Sequence, residues 1–171
     1  MTVERIFTRA ASGDPQTEHH LVRVVAGSGI EGDRYFACQN EPGQNVTFIE
    51  AEEIESFFAE QRRPADLSAT GRNIITRGVR LNELVGTEFL VGTVRFRGVE
   101  LCEPCLHLGQ ALATSAIPPP KVVKRLVHRG GLRADALSSG EVAVGARFQN
   151  AAYPFVAPDS LQRASPAFAS G

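Results

Sequence analysis

The hydrophobic positions of this chain fall mostly into short runs with a two-residue period. His20 to Val25, Asn45 to Ile49, Asn73 to Thr76, Glu88 to Val91, Thr93 to Leu101, Leu132 to Leu137 and Glu141 to Phe148 are apolar or alternating. They are rich in β-branched residues and bounded by Gly, Asn or Asp, which is strand patterning. Val94 and Phe96 against Arg95 and Arg97 put one face of a half-buried strand inward. Gly92-Thr93 and Ser139-Gly140 read as hairpin turns, because glycine supplies the positive φ that such turns need.

Helical spacing interrupts this pattern in two or three places. From Glu50 to Arg62, Ile54, Phe57 and Phe58 share a face, with Glu50, Glu52 and Glu53 at the favourable N-terminal end. Lys121 to His128 sets Val122, Val123, Leu126 and Val127 on one side after Pro118-Pro119-Pro120. Cys105 to Ala113 forms a third, short segment, with Pro104 preset for its first turn. A parallel doubly wound sheet would need a long helix between consecutive strands, and Asn73 to Leu101 has none. The expectation is a mainly β, barrel-like domain over residues 1–148, mostly antiparallel, with a few short helices and Glu50 to Arg62 packed on the sheet. Residues 149–171 show no period and read as a loosely structured tail.

Composition narrows the function classes. The 171 residues are enough for one domain with a real core. A net charge of -1 carries no nucleic-acid signal, and no apolar run approaches a membrane span. The first residues lack the basic start and apolar stretch of a signal peptide. Three cysteines are too few for a disulfide framework and point to a reducing, cytoplasmic setting. The sequon Asn45-Val46-Thr47 is read as chance.

Cys105 is the most informative single residue. It ends the run Glu100-Leu101-Cys102-Glu103-Pro104-Cys105, where proline stops a strand and passes the chain to a loop. A thiolate there ligates a soft metal or carries sulfur as a persulfide. Cys102 reads as a small buried hydrophobe. The C-x-x-C pair also admits structural zinc with His107 or His128, although zinc usually needs two further ligands at matching spacing. Cys38 reads as a bystander, and His19 and His20 as solvent-exposed.

Three turns carry candidate anion-binding groups. In Gly29 to Tyr35, Asp33 either caps a tight turn or joins a binding site. Arg34 either makes a surface ion pair or grips an oxyanion with its planar fork. Gly71-Arg72-Asn73 has the same ambiguity before a strand. His128-Arg129-Gly130-Gly131 follows a helix, so His128 and Arg129 answer its C-terminal dipole and Gly130 stops it.

Taken in order, these segments resemble the MOSC domain, the C-terminal domain of molybdenum cofactor sulfurases. The likeness lies in Gly29 to Tyr35 (GIEGDRY), Gln44 to Glu50 (QNVTFIE), Gly71 to Gly78 (GRNIITRG) and Leu81 to Gly92 (LNELVGTEFLVG). It continues through Glu103-Pro104-Cys105 and His128 to Gly145 (HRGGLRADALSSGEVAVG). The resemblance implies a barrel-like fold, and Cys105 falls on the family's cysteine after proline. It further implies molybdenum cofactor, a molybdenum-pterin (molybdopterin), held with Asp33, Arg34, Arg72 and Asn73 at its polar edges and phosphate. Cys105 would then be catalytic or a metal ligand. Two chemistries follow: sulfur transfer, or molybdenum-dependent reduction of N-hydroxylated compounds. A non-catalytic carrier or insertion module, and the zinc protein, are the alternatives. The chain has no room for a pyridoxal phosphate desulfurase domain, so that cofactor enters only through a separate partner. A cysteine desulfurase or a reductase is the partner expected, with neither nucleic acid nor membrane.

Overall fold

The computed structural model describes residues 1–38 and 42–150. Its frame is an eight-stranded sheet with a three-stranded sheet beside it. The first strands in the chain are β1 (Thr2–Thr8), β2 (Thr17–His19), β3 (Leu21–Val25) and β4 (Gly29–Ile30). After them come β5 (Val46–Glu50), helix α1 (Ala51–Glu60), β6 (Ile74–Arg77), β7 (Glu88–Val91) and β8 (Val94–Leu101). Helices α2 (Leu106–Leu112) and α3 (Pro119–Leu126) lead to β9 (Leu132–Ala136), β10 (Gly140–Ala143) and β11 (Phe148–Asn150).

The large sheet runs β11-β7-β8-β9-β5-β6-β1-β2, and the small one β10-β3-β4. Every strand pair is antiparallel except β5 with β6. That pair is joined through α1, as a parallel crossover requires. The sheet curls until the chain start meets the β10–β11 link: Val3 N–H donates to Ala146 O at 2.9 Å and Phe148 N–H to Met1 O at 3.1 Å. The mainly β, barrel-like architecture with few helices is therefore what the chain adopts.

Two cores explain the apolar runs. Phe48 and Ile74 point into the curl with Val3, Ile6, Phe89, Phe96 and Phe148. Their sequence neighbours Ile49 and Ile75 point the other way, against Ile54, Phe57 and Phe58 of α1 and Leu108, Val122 and Leu126 of α2 and α3. Both faces of β5 and β6 are thus covered, so these strands are apolar throughout rather than alternating. Inside the curl, Phe48 meets Phe96, Phe89 and Phe148 edge-on at centroid distances of 5.3, 5.6 and 6.0 Å.

Three local expectations need correction. Glu141 to Phe148 is not one strand: β10 and β11 belong to different sheets, parted by a turn with Gly145 at φ 84°. Ser139-Gly140 does not close a hairpin either, because β9 pairs with β8 and β5 while β10 pairs with β3. Strand β1 escaped notice because a register shift between Val3 and Arg5 breaks its two-residue period. The sheet also takes in Gln149 and Asn150, two residues past the boundary placed at 148. Residues 151–171 of the expected tail lie outside the described residues. No described helix is long and apolar enough to cross a membrane.

Candidate functional site

One polar cleft gathers residues that the sequence scatters. Arg9, Asp33, Arg34, Tyr35, Gly43, Gln44, Thr47, Gly71, Arg72, Asn73, Cys102 and Arg133 line it. Strand ends deliver five of them: Arg9 just past β1, Thr47 in β5, Asn73 just before β6, Cys102 just past β8 and Arg133 in β9. Asp33, Arg34, Arg72 and Asn73 all reach the cleft. Cys105 is exposed and stands immediately before α2, and the cysteine on the cleft wall is Cys102.

Asp33 and Asn73 form the floor. Asp33 Oδ2 accepts the Asn73 Nδ2–H at 3.0 Å and the Arg9 N–H at 3.2 Å, and its Oδ1 accepts the Tyr35 N–H at 3.1 Å. Asp33 therefore caps its own turn and also ties that turn to two strands. Asn73 Oδ1 accepts from Thr47 N–H at 3.0 Å and Thr47 Oγ1 at 2.9 Å, and its amide also donates to Phe7 O at 3.3 Å. Both side chains are buried, and every polar atom of each has a partner.

The four arginines divide by what they already hold. Arg72 is committed to backbone: Nε donates to Gly130 O at 2.9 Å, Nη1 to Thr70 O at 3.3 Å and Nη2 to Cys102 O at 3.4 Å. It braces the Cys102 loop. Arg133 lines the cleft beside Cys102 and pairs with Glu100 at 3.3 Å. Burial works against the Arg133 charge. Hydrogen bonding and charge interaction with Cys102, then charge interaction with Glu100 and Tyr35, nevertheless hold its ionisation above the ordinary value. Arg34 lies over the Tyr35 ring at 4.5 Å, a cation–π contact. Arg9 Nε is buried without a hydrogen-bond partner. Among the described residues neither Arg9 nor Arg34 makes an ion pair. Among the described residues lining the cleft, four guanidinium groups face one carboxylate, that of Asp33.

The turn read as a helix stop instead clasps the cysteine loop. His128 adopts φ 60°, unusual for a side chain with a Cβ. Its N–H donates to Glu103 Oε2 at 3.1 Å, and its Nδ1 pairs with Glu103 Oε1 at 2.7 Å. Cys102 N–H donates to Gly131 O at 2.7 Å. Gly130 leaves no room for a side chain, since a Cβ there would lie 2.1 Å from Cys102 O. Arg129 pairs with Glu53 at 3.3 Å. Among the described residues no group of three His, Cys, Asp or Glu stands close enough to hold a metal ion, so the zinc alternative lacks a ligand set there.

Arg9 and Arg133 were not legible as site residues. Arg9 follows the strand that was not recognised. Arg133 had a signal: in Leu132-Arg133-Ala134-Asp135-Ala136 the two-residue period sets Arg133 and Asp135 on the less buried face, and Asp135 Oδ1 accepts the N–H of cleft residue Gly43 at 2.7 Å.

A family model described as MOSC domain matches residues 19–149. Among solved structures, the YuaD protein from Bacillus subtilis is similar with a TM-score of 0.73 and 16% identity, over 85% of this chain and 92% of that one. YiiM from Geobacillus stearothermophilus is similar with a TM-score of 0.66 and 17% identity, covering 86% and 73%. YiiM from Escherichia coli gives 0.59 and 19%, covering 88% and 69%. At such identities the structures speak for the fold. No curated protein matches the chain significantly.

Proposed function

Because the chain belongs to the MOSC domain family, a family associated with molybdenum cofactor, we propose that it binds a molybdenum-pterin in the arginine-lined cleft and acts through a cysteine thiolate. The observation that carries this reading is the set of four guanidinium groups converging on a cleft where, among the described lining residues, Asp33 is the one carboxylate and is held by neutral amide donors. Arg9 lines the same cleft and makes no ion pair among the described residues, so its guanidinium charge supports an oxyanion there.

The donor set fits the group. Arg9 and Arg34 would hold the pterin phosphate, guanidinium forks being suited to phosphate oxygens. Asp33 and Asn73 keep the floor rigid, and Arg72 fixes the loop that presents the thiols. The cleft encloses about 110 Å³, below the roughly 300 Å³ of pockets that enclose a drug-sized ligand. It therefore takes a phosphate-sized head, and the rest of the cofactor would lie across its mouth. Cys105, three residues beyond Cys102 on the cleft wall, is the thiolate proposed to ligate molybdenum or carry sulfur. When bound, the cofactor supplies two-electron redox chemistry, and the protein supplies position and charge.

Titration with isolated molybdenum cofactor tests this. The wild-type chain is expected to bind it one to one, and Arg9→Ala with Arg34→Ala to weaken binding at least about tenfold, as loss of charged hydrogen bonds does. Cys105→Ser is expected to retain the pterin but lose the molybdenum–thiolate signal. Equal affinity in wild type and the double arginine variant would remove the basis of the reading.

A further inference from the structure

Cys102 and Cys105 leave β8 together yet face different surroundings. Cys102 is 4% exposed and lines the cleft together with Arg133. Cys105 is exposed. The loop between them is held on one side by Glu103 on His128 and on the other by Arg72 and Gly131 on the Cys102 backbone. One cysteine is presented to solvent and the other lines the cleft.

Building on the cysteine-thiolate reading above, we propose that the two thiols act in series, Cys105 accepting sulfane sulfur from an external persulfide and Cys102 carrying it into the cleft. In the first step the Cys105 thiolate attacks the outer sulfur of R–S–SH. The donor's S–S bond breaks, R–S⁻ leaves, and Cys105–S–SH forms. In the second, the Cys102 thiolate attacks that same outer sulfur, giving Cys102–S–SH and returning Cys105 as thiolate. One S–S bond forms as one breaks in each step, so the protein needs no oxidant or reductant.

Access decides the order. Thiol exchange requires contact with the donor sulfur, and Cys102 is nearly sealed from solvent whereas Cys105 is open. Three residue steps keep the two Cα atoms within about 11 Å even at full extension. The transfer requires the two sulfurs to meet, as they do at the roughly 5.5–6 Å Cα separation of a disulfide, with the loop released from the Glu103–His128 clasp. In the cleft, the Arg133 guanidinium stabilises the negative charge of the carried sulfur.

The test exposes the full chain to glutathione persulfide, traps persulfides by alkylation over time and locates them by mass spectrometry. Fragment ions that break the chain between Glu103 and Pro104 assign the label to one cysteine or the other, and Cys38 serves as the internal reference. The expected result is label on Cys105 first and on Cys102 later, with Cys102 loading reduced about tenfold or more in Cys105→Ser. The wild-type time course stands even where a variant folds poorly. Persulfide that stays on Cys105, or a Cys102–Cys105 disulfide with released sulfide, would overturn the relay and leave the sulfur-carrying reading standing. Cys102 loading as fast in Cys105→Ser as in wild type would do the same. No persulfide on either cysteine would overturn both.

Discussion

Asn73 Nδ2 donates to Asp33 Oδ2 at 3.0 Å, joining the start of β6 to a turn forty residues earlier. Both side chains are buried, at 6% and 8% exposure. With the Arg9 and Tyr35 amides, this bond surrounds a buried carboxylate with donors. The carboxylate is thereby fixed in place by neutral donors rather than by an arginine.

Asn73→Ala is expected to lower stability by about 2–4 kcal/mol in urea denaturation, because it strips partners from Asp33 and Thr47 in a buried setting. Asn73→Asp should cost more at neutral pH, where two carboxylates would face each other, and recover in part on acidification. A loss under about 1 kcal/mol for Asn73→Ala would mean that the floor is not held this way.

Gly130→Ala should be costly for steric reasons, its Cβ falling 2.1 Å from Cys102 O and 3.3 Å from Pro104 N. We expect a loss of about 2–4 kcal/mol and faster alkylation of Cys102 as its loop is displaced. Gly32→Ala makes the contrast. Its φ is 82° with open space around the Cβ, so only the backbone term of about 1 kcal/mol should appear. Thermal unfolding of the two variants side by side checks the difference.

Phe48→Ala should cost about 3–5 kcal/mol. The ring is fully buried and touches three other phenylalanines from β7, β8 and β11. Chemical denaturation reads the loss directly, and a change under about 1 kcal/mol would contradict the packing described.

Glu50 gives a pH prediction. Burial raises its carboxyl above the ordinary value, and Glu53 and Glu52 add to the rise, while the Leu81 N–H bond and Arg80 oppose it. A carboxyl raised in the folded state binds its proton more tightly there. Stability is therefore lost as pH climbs from the unfolded value through the folded one. Glu50→Gln keeps an acceptor for the Leu81 N–H, seen at 2.8 Å, and cannot ionise. It should be more stable than wild type above that window and equal below it. Glu55 and Glu60, lowered by hydrogen bonds from Arg77 and Arg125, contribute stability that is lost as pH falls. Their effect is common to both proteins and cancels in the difference.

The sheet was legible where local patterning and tertiary context agree. Glu88–Val91 and Val94–Leu101 form the expected hairpin around Gly92-Thr93, with Phe89 opposite Phe96. Ile54, Phe57 and Phe58 face the core from α1 as their spacing implies. What stayed hidden depends on long-range pairing. The register shift in β1 concealed a strand, and with it Arg9. No sequence spacing announces that His128 reaches Glu103, or that Arg72 spends its donors on carbonyls of Thr70, Cys102 and Gly130. Cys102 was legible as buried, but a two-residue period cannot say that its sulfur faces a cleft.

The central claim is that this cleft holds a molybdenum-pterin. Its most direct test is the joint molybdenum and pterin content of the chain purified from a host that makes the cofactor, measured by elemental analysis and by fluorescence of the oxidised pterin. The account predicts molybdenum and pterin together, approaching one of each per chain, and both lost when Arg9 and Arg34 are replaced by alanine. Protein folded as wild type that carries neither, or a double variant that keeps both in full, would contradict it.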